Sequence, residues 1–287
     1  MLAQVVVNGV MLGGLYACIA AGFSLVWGVL NVINLLHGTL VVLGGYLAWL
    51  AWSYLGLHPL LALPGVALVV GLFGAALQAG LLNRVVGAPV LITLVITFGL
   101  DLMTSNALLL GFGADYRTIR PAWTLGTVII GGLRIPMDRA IAATAALAMT
   151  GLLWLLLRRS WLGRAIVAVR MDRDAAALMG VRVQHVFIMT FALGAALAGA
   201  AGALLALVFP ISPLQSEAYL GTAFTVCVLG GLGSVAGAAA GGVMLGLVES
   251  LAGLFLGSEN AGIASFVLLI LLLAFRPDGL FGRKGYA

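Results

Sequence analysis

Two carboxylates lie inside runs of apolar residues, where a charge is costly. Asp101 is in the apolar run 90–112 and Glu249 is in the run 237–256. An ionisable group at membrane depth indicates a functional site by default, and a carboxylate there could pair with an ammonium group. The alternative is a structural role, in which each carboxylate pairs with Arg84 or with backbone groups near a helix end. The sequence leaves both explanations open.

A second set of polar residues, Asn31, Asn34 and His37, falls in the turn after the first apolar run and at the start of the second. Asn34 and His37 are three residues apart, so they share one face of a helix. They either form hydrogen bonds between helices and cap them, or they line or gate a path through the membrane. His37 is not expected to bind a metal, because no second His, Cys or carboxylate has a matching spacing.

Charge is concentrated in the stretch from Arg158 to Arg182. This stretch contains eight charged residues, whereas the whole chain has 14 Lys and Arg and nine Asp and Glu. Within it, Asp172 suits a helix N-cap, Asp174 suits the first turn, and Gly180 suits the left-handed position after the last turn. The pattern predicts a short helix over about 173–179.

This short helix would have a small apolar face made of Ala175, Leu178 and Met179. Three arginines would surround that face: Arg170, Arg173 and Arg182. Two turns are too few to be stable alone in water, so the helix is expected to lie on lipid headgroups or in a groove of a partner protein. The alternative is a plain loop whose arginines only fix the orientation of the chain.

The composition places most of the chain in lipid. It is 63% hydrophobic and 8% charged, with a mean hydropathy of +1.20, whereas soluble proteins have about 25% charged residues. The net charge of +5 does not indicate nucleic-acid binding, because the positive residues lie between apolar runs, where they orient membrane segments. We therefore predict an all-α polytopic membrane protein in which residues 1–287 form a single transmembrane domain.

The apolar runs predict about 8–10 transmembrane helices, some of them broken or re-entrant. The candidate spans are 5–27, 34–55, 62–83, 90–112, 137–157, 184–208, 219–235, 237–256 and 262–275. The second span follows the first after only "GVLNVIN", so it could be broken or re-entrant. The pair around "GGLGSVAGAAAGG" could likewise be one broken helix.

Lys and Arg set the expected orientation, because cytoplasmic loops are enriched in them. The 158–182 loop and the tail with Arg276, Arg283 and Lys284 are expected to be cytoplasmic, and the 113–136 loop is expected to be outside. The N-terminus is outside if both first spans cross the membrane, and inside if one of them is re-entrant.

Several segments resemble known permeases. "DAAALMG" (174–180) is similar to the EAA-xxx-G cytoplasmic loop of permease subunits of ATP-binding-cassette importers, with Asp in place of Glu. Four longer segments resemble the smaller permease subunit of the branched-chain amino acid transporters in the hydrophobic amino acid uptake family. They are "NGVMLGGLYACIAAGFSLVWGVLNVINLLHGTLVVLGGY" (8–46), "GRAIVAVRMDRDAAALMGV" (163–181), "VLGGLGSVAGAAAGG" (228–242) and "FRPDGLFG" (275–282). "NLLHG" has Leu-Leu where that family usually has Phe-Ala.

The resemblance implies a set of partners. A second, larger permease subunit and two ATPase subunits would complete the complex, and a periplasmic or lipid-anchored binding protein would deliver the substrate. The chain contains no G-x-x-x-x-G-K-[ST] phosphate loop, so ATP hydrolysis is expected on the partner subunits and not on this chain. The resemblance also implies the bacterial inner membrane and no bound cofactor.

The expected function is therefore import of branched-chain or other hydrophobic amino acids by alternating access. Coupling to the ATPases would fall to the 158–182 loop, through the residues Arg170, Asp172, Arg173, Asp174, Ala175, Leu178, Met179 and Gly180. The path would be lined by Asn31, Asn34, His37, Asp101 and Glu249. Urea and amide permeases resemble this chain too, and the two buried carboxylates keep a stand-alone ion-coupled transporter open. A channel is disfavoured because no filter motif stands out.

Overall fold

Helices make up almost all of the fold. The computed structural model describes residues 2–119, 126–257, 260–276 and 279–280. Within these ranges the helices are α1 (Leu2–Leu30), α2 (His37–Leu55), α3 (Pro59–Gly80), α4 (Val90–Phe112), α5 (Met137–Arg159), α6 (Trp161–Met171), α7 (Arg173–Leu178), α8 (Val183–Val208), α9 (Ser216–Gly230), α10 (Val235–Leu256) and α11 (Ala261–Phe275). Two strands, β1 (Thr127–Ile130) and β2 (Leu133–Pro136), form an antiparallel hairpin.

Each of the nine predicted spans coincides with one helix. Seven helices of the described chain are long and apolar enough to cross a membrane, namely α1 to α5, α8 and α10. The other two, α9 and α11, have 15 residues each, or about 22 Å of helix against a hydrocarbon core about 30 Å thick. The all-α polytopic fold is confirmed. Of the basic tail, Arg283 and Lys284 lie outside the described residues.

The sequence does not predict the hairpin, because it indicates only an outside loop over 113–136. Its turn consists of Gly131 and Gly132, with φ angles of 57° and 82°. Positive φ at both central residues is what a tight two-residue hairpin turn needs, and glycine adopts it without strain. The side chain of Gln4 joins this hairpin to α1, since it donates to the carbonyl of Arg134 (2.7 Å) and accepts from the Arg134 N–H (2.8 Å).

α1 extends from one end of the described structure to the other, and its contacts identify the two ends. Its first turn contacts the hairpin through Gln4, and its last turn contacts Arg173 at the start of α7. The 29 residues of α1 separate these contacts by about 40 Å. We call the two ends of the molecule the hairpin end and the α7 end.

Two antiparallel helix pairs form the core, α1 with α10 and α3 with α8. Small residues let the backbones of each pair approach closely, as is common between helices in lipid. A Cβ atom added to Gly13 would lie 2.5 Å from the Cα of Val243, and one added to Gly74 would lie 2.5 Å from the Cβ of Ala195. Each pair thus joins a helix from the first half of the chain to a helix from the second half. α1 runs towards the α7 end and α8 away from it, which is typical of an inverted repeat.

Candidate functional site

The short helix predicted in the arginine-rich stretch is present as α7. Asp172 caps it, because its Oδ1 accepts hydrogen bonds from the N–H groups of Asp174 and Ala175, both at 2.9 Å. Gly180 ends it with a φ of 83°, and the N–H of Val181 bonds the carbonyl of Ala176 at 3.0 Å. This is the glycine-ended helix terminus that the sequence predicted.

A second helix, α6, precedes α7 and was missed. Ser160 caps it by accepting from the N–H of Gly163 at 2.9 Å. Ala165, Ile166 and Val169 are buried on one face of α6. The serine followed by apolar residues at helical spacing was the signal for it.

The apolar face of α7 is uncovered. Leu178 is 88% exposed and Met179 is 85% exposed, and Ala175 is exposed beside them, whereas Ala176 is buried against the rest of the chain. Apolar side chains this exposed suit either the lipid headgroup region or a groove of a partner protein, the two alternatives that the sequence left open.

Two of the arginines expected around that face form hydrogen bonds to backbone groups of other segments instead. Arg173 donates from Nη2 to the carbonyl of Leu30 at 2.9 Å, and its guanidinium lies 5.2 Å from the ring centre of Phe187. Arg170 donates from Nη1 to the carbonyl of Gly233 at 2.8 Å. Helix C-termini leave carbonyls unpaired and attract cations, so the end of α1 is a good partner for Arg173. Of the three arginines, Arg182 is exposed near the face without such a contact in the described chain.

The chain is irregular between α1 and α2. Asn31 has a φ of 55°, a left-handed conformation that Asn tolerates. α2 begins at His37, whose Nε2 donates to the carbonyl of Ile19 at 2.9 Å. Ile19 lies about 16 Å before the end of α1. Residues 31–36 therefore fold back along α1, and α2 starts inside the molecule, as expected for a broken span.

Polar groups in this break are buried without partners. Asn34 is 2% exposed and His37 is 0% exposed. Within the described residues, Asn34 Oδ1 and His37 Nδ1 have no hydrogen-bond partner. Leaving a buried polar atom unpaired costs about 1–3 kcal/mol. A strained, polar break at membrane depth is tolerated where it is covered by protein or lines a path.

α4 supports the break from the other side. Thr97 donates to the carbonyl of Ile33 at 2.9 Å, and Thr39 donates to Asp101 Oδ1. The structure thus brings Asn34, His37 and Asp101 into one region. Thr97 was not singled out in the sequence, because a threonine in an apolar run is common and its partner is 64 residues away.

Glu249 lies elsewhere, between α1, α10 and α11. Tyr16 donates to its Oε2 at 2.7 Å and Ser265 donates to its Oε1 at 2.6 Å. Pairing with Arg84 was one alternative from the sequence, and it is wrong for both carboxylates. Asp101 and Glu249 bind hydroxyl groups, and within the described part of the chain neither forms an ion pair.

Glu249 borders a cavity of about 430 Å³ near the hairpin end. The wall is mostly apolar, with Met11, Leu12 and Leu254 among its residues, and it also includes Arg139. The Arg139 guanidinium lies 5.6 Å from the ring centre of Phe209. The cavity was not predicted, because its wall comes from five helices that are distant in sequence. The described residues contain no group of three His, Cys, Asp or Glu that could hold a metal ion.

These features define a multi-pass helical membrane protein with a short, exposed helix pair at one end and polar groups buried between its spans. A comparison with known families identifies it further. The sequence profile described as "Branched-chain amino acid transport system / permease component" matches residues 5–275. The chain belongs to this family.

Curated relatives are similar over nearly the whole chain. The high-affinity branched-chain amino acid transport system permease protein BraD of Pseudomonas aeruginosa is 34% identical over 295 residues, which is 98% of this chain and 95% of the relative. The permease protein LivH of the same kind of system in Escherichia coli is 32% identical over 299 residues, with the same coverage. The permease protein LivM of Escherichia coli is 28% identical over 297 residues, covering 93% of this chain and 67% of LivM. No solved structure matches the chain with significance.

Proposed function

We propose that this chain is the smaller permease subunit of an ATP-driven importer of branched-chain or other hydrophobic amino acids in the bacterial inner membrane. Family membership and the names of BraD and LivH support the substrate class. A second permease subunit is supported by the similarity to LivM, which is named as another permease protein of such a system. Two ATPase subunits and a substrate-binding protein complete the proposed complex.

The observation that carries the proposal is the uncovered apolar face of α7. Leu178 and Met179 project from a capped, two-turn helix at the end of the molecule where the positive charge is concentrated. Positive charge favours the cytoplasmic side, which is where ATPase subunits bind ATP. The face therefore suits a groove on an ATPase, with Ala175, Leu178 and Met179 inserted and Arg182 at the rim.

Arg170 and Arg173 connect the proposed ATPase contact to the membrane-spanning helices. Arg173 holds the last carbonyls of α1, and Asn31 follows at once in its left-handed conformation. A movement of α7 driven by the ATPases would pull on the end of α1 and on the break that it leads into. Arg170 makes the same kind of link to Gly233, in the loop between α9 and α10.

The break is then the element that opens and closes the path. Asn34 and His37 carry unpaired polar atoms there, and Asp101 supports α2 through Thr39. Exposing or covering these groups is a two-state change of the kind that alternating access requires. The ring of Phe23 packs edge-on against His37, with the ring centres 5.4 Å apart, so an apolar group that suits a leucine-like side chain lies beside them.

The substitution Ala175→Asp tests the docking surface. An aspartate in the first turn suits the helix itself, so α7 should remain folded. It would place a lone charge in the proposed contact at a cost of about 2–3 kcal/mol, which would weaken ATPase binding roughly thirty- to hundredfold. The measurement is co-purification of the permease complex with the ATPase subunits, together with ATP-driven leucine uptake in proteoliposomes.

Arg158→Gln is the matched control, because Arg158 is an exposed residue of the same charge cluster whose guanidinium lies against Trp154 and not against α7. It should bind the ATPases as the unmodified chain does. If Ala175→Asp retains full ATPase binding and uptake, the stretch only fixes orientation and the docking proposal is wrong.

A further inference from the structure

The cavity at the hairpin end combines an apolar wall with one group of each charge. It is bordered by residues of α1, α5, α8, α10 and α11. Its volume of about 430 Å³ lies within the usual range for small-ligand sites, about 300–1,000 Å³. None of the residues that the family resemblance implied for coupling borders it.

The two charged groups stand at different depths. Arg139 is exposed, in the first turn of α5, and stacks on Phe209. Glu249 is half-buried and bonded to Tyr16, which lies about 12 Å along α1 from Asn8 in the same wall. Arg139 therefore stands at the mouth and Glu249 at the inner end.

Neither charge is neutralised by the chain. Tyr16 and Ser265 each donate a hydrogen bond to Glu249, but neither carries a positive charge. Within the described residues no cation lies within ion-pair distance of Glu249, and no carboxylate lies within that distance of Arg139. A ligand that suits the site brings an ammonium group to the inner end and an apolar body to the wall, and an anionic group on the same ligand is attracted by Arg139 during entry.

We propose that this cavity is a binding site for the zwitterionic amino acid at the hairpin end, in which Arg139 at the mouth attracts the carboxylate as the amino acid enters and Glu249 binds the ammonium group at the inner end. Met11, Leu12 and Leu254 contact the apolar side chain. In the orientation proposed above, the cavity opens to the outside, so the site receives substrate before it reaches the break at Asn34 and His37. This inference rests on the proposed function for the identity of the substrate.

A lipid is the other ligand that could enter an apolar cavity in a membrane. An anionic headgroup would suit Arg139, but the acyl chain would then lie against the charged Glu249, which is unfavourable. The inner carboxylate thus favours a ligand with an ammonium group, and a lipid becomes an outcome of the test.

The test is protection of a cysteine in the cavity wall. Ala261→Cys is introduced into a chain in which the buried Cys18 and Cys227 are replaced by Ala, and the assembled permease complex is placed in nanodiscs. The rate of modification by a charged thiol reagent is measured with leucine, with 3-methylbutylamine, which lacks the carboxylate, and with 4-methylpentanoate, which lacks the ammonium group. Leucine should slow modification most, the amine less, and the carboxylate least.

Glu249→Gln should weaken protection by leucine and by the amine by about tenfold or more, because a charged partner is lost. Gln can accept from one of the two hydroxyl groups through its carbonyl oxygen and donate to the other through its amide, so the packing is kept. Arg139→Gln should weaken protection by leucine but not by the amine. Glu249→Asp, which keeps the charge, should retain protection by the amine.

The matched controls are Arg134→Gln and Asp115→Asn, which remove exposed charges that do not border the cavity. In both variants leucine should protect the cysteine at position 261 as well as it does without the added substitution. The inference is overturned if leucine gives no protection, if Glu249→Gln is protected equally well, or if only anionic lipid in the nanodisc slows modification. ATP-driven leucine uptake by the unmodified complex is measured separately. Uptake without protection would refute this site alone, whereas absence of uptake would refute the proposed function.

Discussion

The charged side chains inside this molecule are held by carbonyl and hydroxyl groups. Arg173 binds the carbonyl of Leu30, Asp101 accepts from Thr39, and Glu249 accepts from Tyr16. No opposite charge of the described chain pairs with these groups, so each can interact with a mobile partner. Removing one of them also leaves a carbonyl or hydroxyl group without its hydrogen-bond partner, which has a structural cost of its own.

Arg173→Gln should uncouple ATP hydrolysis from transport. The hydrogen bonds from its guanidinium to the end of α1 are of the charged kind, worth about 1.5–3 kcal/mol, and glutamine is too short to replace them. The ATPases should still bind, since the apolar face of α7 is unchanged. We expect the ratio of leucine taken up to ATP hydrolysed to fall about tenfold, as measured in proteoliposomes.

Arg164→Gln serves as the control for this experiment. Arg164 is an exposed arginine on α6, and its removal should leave the ratio unchanged. An Arg173→Gln complex that transports as much leucine per ATP as the unmodified one would show that this arginine only stabilises the fold. Arg173→Lys, which keeps the charge, should recover part of the ratio.

Local chemistry was predictable at the residue scale, and long-range partners were not. Asp172 and Gly180 were correctly assigned as helix ends, because capping depends on neighbours within a few residues. The partners of Glu249 come from α1 and α11, and no pattern along the chain joins them. For the same reason the inward direction of Arg173 was not foreseen.

Among the helices, the closest contacts are made by glycine. Gly13 on α1 packs against the backbone of Val243 on α10, and Gly74 on α3 packs against Ala195 on α8. Such contacts leave no room for even one methyl group. The close packing of these helices therefore requires glycine at a few positions.

Gly13→Ala should destabilise the protein, because the added Cβ would lie 2.5 Å from Val243 Cα and 2.7 Å from the carbonyl oxygen of Gly242. Overpacking of this kind costs about 1–3 kcal/mol. Gly99→Ala is the control, since a Cβ there meets nothing within 4 Å and alanine favours helix. Thermal unfolding of the detergent-purified chain should separate the two variants, and equal melting temperatures would contradict the tight contact.

The sequence predicted the elements that are long and uniformly apolar. All nine candidate spans correspond to helices, since hydropathy over about 20 residues is a strong signal. The sequence pattern did not predict α6 or the hairpin, because both are short and partly polar. The depth at which α2 begins was suggested by the short connection 31–36, but only the contact between His37 and Ile19 defines it.

The whole molecule is polarised from the arginine-rich α7 end to the hairpin end. This polarity predicts which residues face each side of the membrane. In a chain lacking Cys18 and Cys227, Leu178→Cys on α7 should resist a membrane-impermeant thiol reagent in intact cells. Ile129→Cys on the hairpin, where Ile129 is 66% exposed, should react. Labelling of residue 178 from outside would reverse the proposed orientation.

The position of α1 has a consequence for biosynthesis. α1 leaves the ribosome before the other helices of the described chain, yet it is the most enclosed of the seven long helices and packs most extensively against α10. α10 is translated about 200 residues later, which takes roughly 10–40 s at a synthesis rate of about 5–20 residues per second. For that time the glycine surface of α1 faces lipid or an insertase instead of its final neighbour. Assembly of the bundle must therefore wait for the last third of the chain, and a transcript truncated before α10 yields a membrane-inserted but unassembled product.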